Sequence, residues 1–397
     1  MEKMIYLDNA ATTPTAPEVI EAMLPFYEER YGNPSAIYEF GAKGKKAIEE
    51  ARKIIAESIG AKPEEIYFTA GGSEADNWAL KATAESLSGK GRHIITSSIE
   101  HHAILRTCEY LEQNGYDITY LNVDHNGMIN PELLRRAIRA DTILISVMTA
   151  NNEIGTIEPI GKIGLLARRY GIYFHTDAVQ AYGHIPIRVD TMHVDMLSAS
   201  AHKFNGPKGV GFLYVRENKR IPSFVHGGGQ ERQNRAGTEN VPGIVGMGKA
   251  AELAMSSMTK RMEQEARIRD YLIYSILKEV PGSRLNGDWR NRLPNNADFC
   301  FDDIEGGNLL VMLDMEGICA SAGSACSSGE NKASHVLRAI GVKPELARGA
   351  LRLTLSETIS AADIDIVVAS IKKNVGILRS RSAVVTEPDE TEETDMT

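Results

Sequence analysis

Several short stretches of this sequence hold side chains whose types and spacing could do chemistry. In Phe68-Thr69-Ala70-Gly71-Gly72-Ser73-Glu74-Ala75-Asp76-Asn77 a strand-like run meets a glycine turn and a helix start. Backbone N–H groups at such a turn, with the helix dipole behind them, make an anion site, and Ser73 can add a hydroxyl. The same residues also suit plain helix capping, with Ser73 and Asp76 in box positions. His175-Thr176-Asp177-Ala178-Val179-Gln180 follows an apolar run and puts a carboxylate where ligands of open α/β sheets bind. That carboxylate could hold a protonated ring nitrogen or simply cap a helix. Lys203, after Ser198-Ala199-Ser200-Ala201-His202, stands between a strand of small residues and a glycine-proline turn. Partial burial there would lower its pKa and favour imine formation. Ser200 and His202 could bind phosphate beside it. Glu100-His101-His102 offers an imidazole, and adjacent histidines point apart, which argues against a metal pair. Finally, Ser321-Ala322-Gly323-Ser324-Ala325-Cys326-Ser327-Ser328-Gly329 surrounds one thiol with small residues and permissive backbone. It reads as a mobile loop delivering a nucleophile, or as a turn around an incidental buried cysteine.

The elements that must position these residues alternate along the chain. Strands are expected at 66–69, 93–97, 118–122, 142–148, 172–175, 196–199 and 209–215, with helices near 102–113, 131–139 and 159–170. Pro17 to Arg30 and Lys45 to Ile59 also carry helical spacing, the second stopped by Gly60. Strands separated by helices imply crossovers and a mainly parallel sheet covered on both faces. Residues 226–238 form a long polar, glycine-bearing loop, and a helix from about Val241 to Lys278 bridges to a second domain. That domain is expected to hold a strand at 298–301, a helix at 306–315, the cysteine loop, a helix at 332–340 and a strand at 351–355. A capping box at Ser360 and Asp363 opens the last helix, which runs to Leu378. At 397 residues, 43% hydrophobic and 24% charged, the chain is large enough for two domains. A net charge of −9 argues against nucleic acid as a partner. The four cysteines show no CxxC pair, and no secretory or membrane-spanning segment is visible, so the expected address is the cytosol. A phosphate turn, a strand-end aspartate and a strand-end lysine, in that order on an α/β scaffold, suggest pyridoxal 5′-phosphate.

With those residues in view, the chain resembles the cysteine desulfurases, the NifS/IscS type within the fold-type I pyridoxal-phosphate enzymes. The resemblance runs from Tyr6-Leu7-Asp8-Asn9-Ala10-Ala11-Thr12-Thr13-Pro14 to about residue 378. It takes in Gly32-Asn33-Pro34-Ser35, Asn151-Asn152-Glu153-Ile154-Gly155 and Arg235-Ala236-Gly237-Thr238-Glu239 as well as the lysine and cysteine stretches. It implies an α/β fold: a large domain at 15–255, with a mainly parallel sheet and helices on both faces, and a smaller α+β domain from 1–14 and 256–380. Residues 381–397 would be an acidic, disordered tail unlike the family's usual carboxyl end. By this similarity Lys203 carries the cofactor, Asp177 pairs with its ring nitrogen, Gln180 bonds the ring hydroxyl and His101 stacks on the ring. Gly72, Ser73, Ser200 and His202 would hold the phosphate, joined by Thr238 of the second subunit of a homodimer. Asn152, also beside the cofactor, and Arg352 would orient the substrate carboxylate. Cys326 would take sulfur from L-cysteine as a persulfide, leaving L-alanine, and pass it to an acceptor such as an iron-sulfur scaffold or a tRNA-thiolation protein. No resident metal is implied, although Cys326 could transiently ligate an iron-sulfur cluster. Selenocysteine lyase and aminotransferase activities of the same fold are the alternatives. The phosphate turn departs from the family's usual Gly-Ala-Thr-Glu but keeps a hydroxyl, and the surround of Cys326 resembles the group with the longer cysteine loop.

Overall fold

The computed structural model describes residues 4–219, 221–322 and 334–385, the last four of these as backbone. After β1 (Ile5–Tyr6) come α1 (Pro17–Met23) and α2 (Pro25–Glu28). The helical spacing from Pro17 to Arg30 is thus split in two, because Pro25 has no N–H with which to continue the first helix. Helix α3 (Glu39–Ile59) starts earlier than its apolar pattern suggests. Gly41 and Gly44 weaken that pattern because α3 lies against the preceding chain: a Cβ on Gly41 would stand 2.4 Å from the Asn33 carbonyl. Gly60, at φ 73°, ends it.

The next elements are β2 (Ile66–Thr69), α4 (Gly72–Leu87), β3 (His93–Ser97), α5 (His102–Gln113) and β4 (Asp117–Leu121). Then follow α6 (Pro131–Ala137), β5 (Thr142–Ser146), α7 (Ile160–Tyr170), β6 (Tyr173–Asp177), β7 (Met196–Ser200) and β8 (Gly211–Val215). They build a seven-stranded sheet in the order β2-β8-β7-β6-β5-β3-β4. Strand β8 is antiparallel to both of its neighbours, and the other pairs are parallel. Alternate residues feed opposite faces. Ile95, Ile145, Leu197 and Phe212 join the core under α3 and α7, while Ile94, Leu144, Met196 and Leu213 join the one under α4 and α5. The central strands β3, β5, β7 and β8 are buried along their whole length, as expected of a sheet covered on both faces.

Helix α8 (Val241–Glu279) runs on from this layer. Its Ile244, Met247 and Ala251 pack in the first core, and its Ile268, Leu272 and Ile276 pack in a separate one. That second core is built on β9 (Ser283–Asn286), β10 (Asn296–Phe301), α9 (Gly306–Met315) and β11 (Ile318–Cys319). Short helices α10 (His335–Ala339) and α11 (Pro344–Ala347) lead to β12 (Ala350–Thr354) and α12 (Ala361–Val385). Strands β12, β10 and β9 form an antiparallel sheet. The amino terminus is tied to this part of the fold: β1 pairs with β11, and Ile5 and Leu7 lie in the second core. The box at the start of α12 forms, with Ser360 N donating to Asp363 Oδ2 at 3.0 Å and Asp363 N donating to Ser360 Oγ at 3.2 Å. Helix α12 does not stop at Leu378, nor does irregular chain begin at 381. Arg379 donates to the Pro281 and Asp302 carbonyls at 2.7 and 3.0 Å, and the helix continues to Val385. Residues 386–397, most of the expected acidic tail, lie outside the described residues, as do Cys326 and the rest of 323–333.

Candidate active site

The carboxyl ends of the parallel strands β5 and β6, the end of β7 and the first turn of α4 open onto one cavity of about 330 Å³. Among the residues named from the sequence, Gly72, Ser73, His101, Asn152, Asp177 and Gln180 line it. Ser200, His202, Lys203 and Arg352 also line the wall. Thr238 is exposed and is not part of this wall, and Cys326 lies outside the described residues.

Helix α4 has Gly71 as its N-cap and no side-chain cap. The alternative of a box between Ser73 and Asp76 is therefore not what forms, and the N–H groups of the first turn stay available to an anion. Glu74 instead accepts the Ala70 N–H at 2.9 Å. A Cβ on Gly72 would stand 2.5 Å from Val179 Cγ2, so the turn can sit this close to the strand-end aspartate only with glycine there.

Asp177 closes β6, and its Oδ1 accepts the Val179 N–H at 2.8 Å. The carboxylate is thus both a local turn cap and a wall of the cavity. Asp76, Asp177 and His101 bring their polar atoms within 4.8 Å of one another. Burial pushes both carboxyls above the usual range, opposed at Asp177 by the Val179 N–H and the Lys203 charge and reinforced at Asp76 by the charge of Asp177. Behind them His175 is held between the Ser146 and Ser198 hydroxyls, each at 2.9 Å, and burial drives its pKa down to about 3.

Lys203 points its amine at the Ala10 and Ala11 carbonyls, at 2.6 and 2.9 Å. Those carbonyls belong to the turn after β1. Ala10 N donates to Thr354 Oγ1 at 2.9 Å and Thr13 N to the His202 carbonyl at 2.9 Å, so the turn is fixed from both cores. Gln180 donates to the same Ala10 carbonyl at 3.0 Å. His101 caps α5, its Nδ1 accepting the Ala103 N–H at 3.1 Å. Burial, with Lys203 and two further histidines nearby, lowers its pKa to about 4. It is therefore a neutral imidazole carrying its proton on Nε2.

Arg352 reaches the cavity from β12. Its Nη2 donates to Asp8 Oδ1 at 2.8 Å and its Nη1 to the Asn152 carbonyl at 3.0 Å. The backbone of Arg352 also bonds to Ser321 in both directions. On the far side of 323–333, the Ser334 hydroxyl donates to the buried carboxylate of Glu153, and His335 bonds the Glu100 carbonyl at 3.0 Å. Asp8, Asp76, Glu153 and His335 border this site and were given no role in it from the sequence. Asp76 looked like a capping residue, and the others become neighbours only through the meeting of distant segments.

The aminotransferase class-V family model matches residues 5–367. Cysteine desulfurase IscS of Dictyoglomus turgidum is 53% identical over 382 residues, covering 96% of this chain and 97% of that protein. Cysteine desulfurase IscS of Methanosarcina thermophila is 53% identical over 380 residues, covering 96% and 94%. Among solved structures, a NifS-like protein superposes with a TM-score of 0.89 at 37% identity, covering 94% of this chain and all of that one. A structure described as SspA in complex with cysteine gives a TM-score of 0.80 at 39% identity, covering 89% and 99%.

Proposed function

We propose a division of labour among these residues that proceeds from one premise: the chain belongs to the aminotransferase class-V family and, within it, is a cysteine desulfurase dependent on pyridoxal 5′-phosphate. The cavity fits that cofactor. It offers an amine at Lys203, a carboxylate at Asp177 and uncapped helix N–H groups at α4, over a turn that has no room for a Cβ at Gly72. When bound, the cofactor supplies an electron sink for the substrate amine.

Gly72, Ser73, Ser200 and His202 would hold the phosphate, and Asp177 would keep a proton on the ring nitrogen. Gln180 would bond the ring hydroxyl and His101 would lie against the ring. Lys203 would bear the cofactor and move the proton at the substrate Cα. Arg352 and Asn152 orient the carboxylate of L-cysteine, the guanidinium supplying a planar fork. The Cys326 thiolate attacks the substrate sulfur. A sulfur–sulfur bond forms as the carbon–sulfur bond breaks, Cβ takes a proton, and L-alanine and a Cys326 persulfide result. Supporting this role, the described residues flanking 323–333, Ser321 and Ser334, are hydrogen-bonded to Arg352 and Glu153 at the cavity wall.

The exposure of Thr238, away from its own cavity, supports a homodimer in which each subunit lends that residue to the other. The packing of the two ends of α8 in separate cores supports a division at 15–255 against 1–14 and 256–380. We assign the persulfide to an acceptor protein of iron-sulfur assembly or tRNA thiolation, in the cytoplasm. No helix among the described residues is long and apolar enough to cross a membrane.

The observation that carries this reading is the convergence of Lys203, Asp177, the α4 turn and Arg352 on one cavity. Incubation with L-cysteine, an alanine assay and mass analysis of the Cys326 peptide test it. Cys326→Ala should abolish alanine and persulfide formation while the bound cofactor's visible absorbance stays. Undiminished desulfuration by that variant removes Cys326 from the mechanism.

A further inference from the structure

The loop at 226–238 is pinned to the strand and turn that frame the phosphate site. Glu231 is buried and accepts both arms of the Arg52 fork at 2.8 Å, as well as the Phe68 N–H at 2.9 Å. Arg232 donates to the Ile66 carbonyl at 2.6 Å. At these anchors and the next residue the backbone takes three successive non-glycine positions through positive φ: 44° at Glu231, 57° at Arg232 and 67° at Gln233. Such conformations persist only where surrounding contacts hold them.

Arg235 then grips Glu74 with a second fork, Nε to Oε1 at 2.8 Å and Nη2 to Oε2 at 3.2 Å. Glu74 directly follows Ser73 in the phosphate turn. Three residues beyond Arg235 the chain exposes Thr238, and at Asn240 it enters α8, where the Asn240 side chain accepts the Gly243 N–H at 3.1 Å. The segment carrying Thr238 is therefore held at one end by the Arg235–Glu74 pair and at the other by the cap of α8.

We propose that Arg235 is a positioning residue for the cofactor site of the other subunit: through Glu74 it fixes the arm that presents Thr238 across the interface. This rests on the reading of Thr238 as a phosphate ligand of the partner site. The rival role is local, with Arg235 doing no more than steadying its own phosphate turn. The two differ in which subunit's site is damaged.

Mixed dimers separate them, with two affinity tags to purify each pairing and retained pyridoxal 5′-phosphate counted from absorbance after dialysis. As homodimers, Arg235→Gln and Thr238→Ala should each hold the cofactor roughly tenfold more weakly, as loss of a charge-assisted or phosphate contact implies. Arg235→Lys should recover part of that loss. An Arg235→Gln chain paired with a Thr238→Ala chain should retain no tight site, because each subunit fails its partner. A chain with both substitutions, paired with an unsubstituted chain, should retain one. The reverse pattern overturns the proposal in favour of the local role, and equal counts in the two pairings overturn it because Arg235 then serves both sites or neither. If Arg235→Gln distorts the loop, the same pairings with Arg235→Lys should give the same order with smaller differences. Undiminished retention by the Thr238→Ala homodimer identifies a failure of the Thr238 reading itself.

Discussion

His101 shows how one residue's surroundings decide its chemistry. The Ala103 N–H occupies Nδ1, and burial opposes a second proton, so the imidazole can only present Nε2–H toward the cavity. Its folded pKa, about 4, lies below the ordinary histidine value of 6.5, so it stays neutral throughout the neutral range and gains charge only in acid. In the cofactor-free protein, an NMR titration of the His101 ring should show an inflection close to pH 4. An inflection near the ordinary histidine value would mean that the ring is solvated. Lys203 and Asp177 were legible in the sequence because each stands at or just past the carboxyl end of a strand, where such sheets bind ligands. Asp76 was not, since a carboxylate three residues after a serine near a helix start reads as half of a capping box rather than as a site residue. Only the packing of α4 across the sheet turns it toward Asp177. Asp8 and Glu153 were hidden for a different reason: their partners Arg352 and Ser334 lie far along the chain.

The elements place the site by close approach. Gly211, the first residue of β8, has no room for a side chain: a Cβ would stand 2.5 Å from the Ala199 carbonyl and 2.8 Å from Gly71 Cα. The phosphate turn thus rests directly on the backbone of β8. Gly211→Val should push that turn away and weaken cofactor retention by roughly tenfold or more, by the 1–3 kcal/mol usual for overpacking. Equilibrium dialysis against pyridoxal 5′-phosphate measures it, and unchanged retention would show that the turn can give way. Nothing in the sequence marks this contact, because Gly211 meets Gly71 only through the pairing of β8 with β2, far back along the chain. The long central strands and helices were legible, with β3, α5 and α9 beginning and ending where their patterns do. Strands β9 and β11 were not. Ser283–Asn286 is mostly polar, and Ile318–Cys319 is too short to show alternation; each is a strand only through its partner, β10 or β1.

Across the whole molecule, folding traps acids where water cannot reach them. Burial pushes Glu100 and Glu158 up to about 8, and Glu265 and Asp298 to about 7. A carboxyl whose folded pKa is raised binds more protons folded than unfolded. Its contribution is therefore greatest below its unfolded pKa and is lost as pH climbs through the folded value, at up to about 1.4 kcal/mol per pH unit for each group. The buried histidines have the opposite sign. His175, near 3, and His184, near 4, bind fewer protons folded than unfolded, so they weaken the fold as pH drops below 6.5. Between about pH 4.5 and 6.5 the two sets oppose each other, and above 7 only the acids still titrate. The thermal midpoint of the cofactor-free protein should therefore fall from pH 7 to pH 8.5. Glu158 isolates one contributor: its Oε2 accepts the Ile129 N–H at 2.9 Å, while Oε1 is buried without a hydrogen-bond partner among the described residues and Asp124 adds to the repulsion. Glu158→Gln keeps the acceptor and cannot ionise, so its midpoint should fall less steeply than that of the unsubstituted protein over the same range. Parallel slopes would mean that Glu158 ionises in the fold at no cost and that water reaches it.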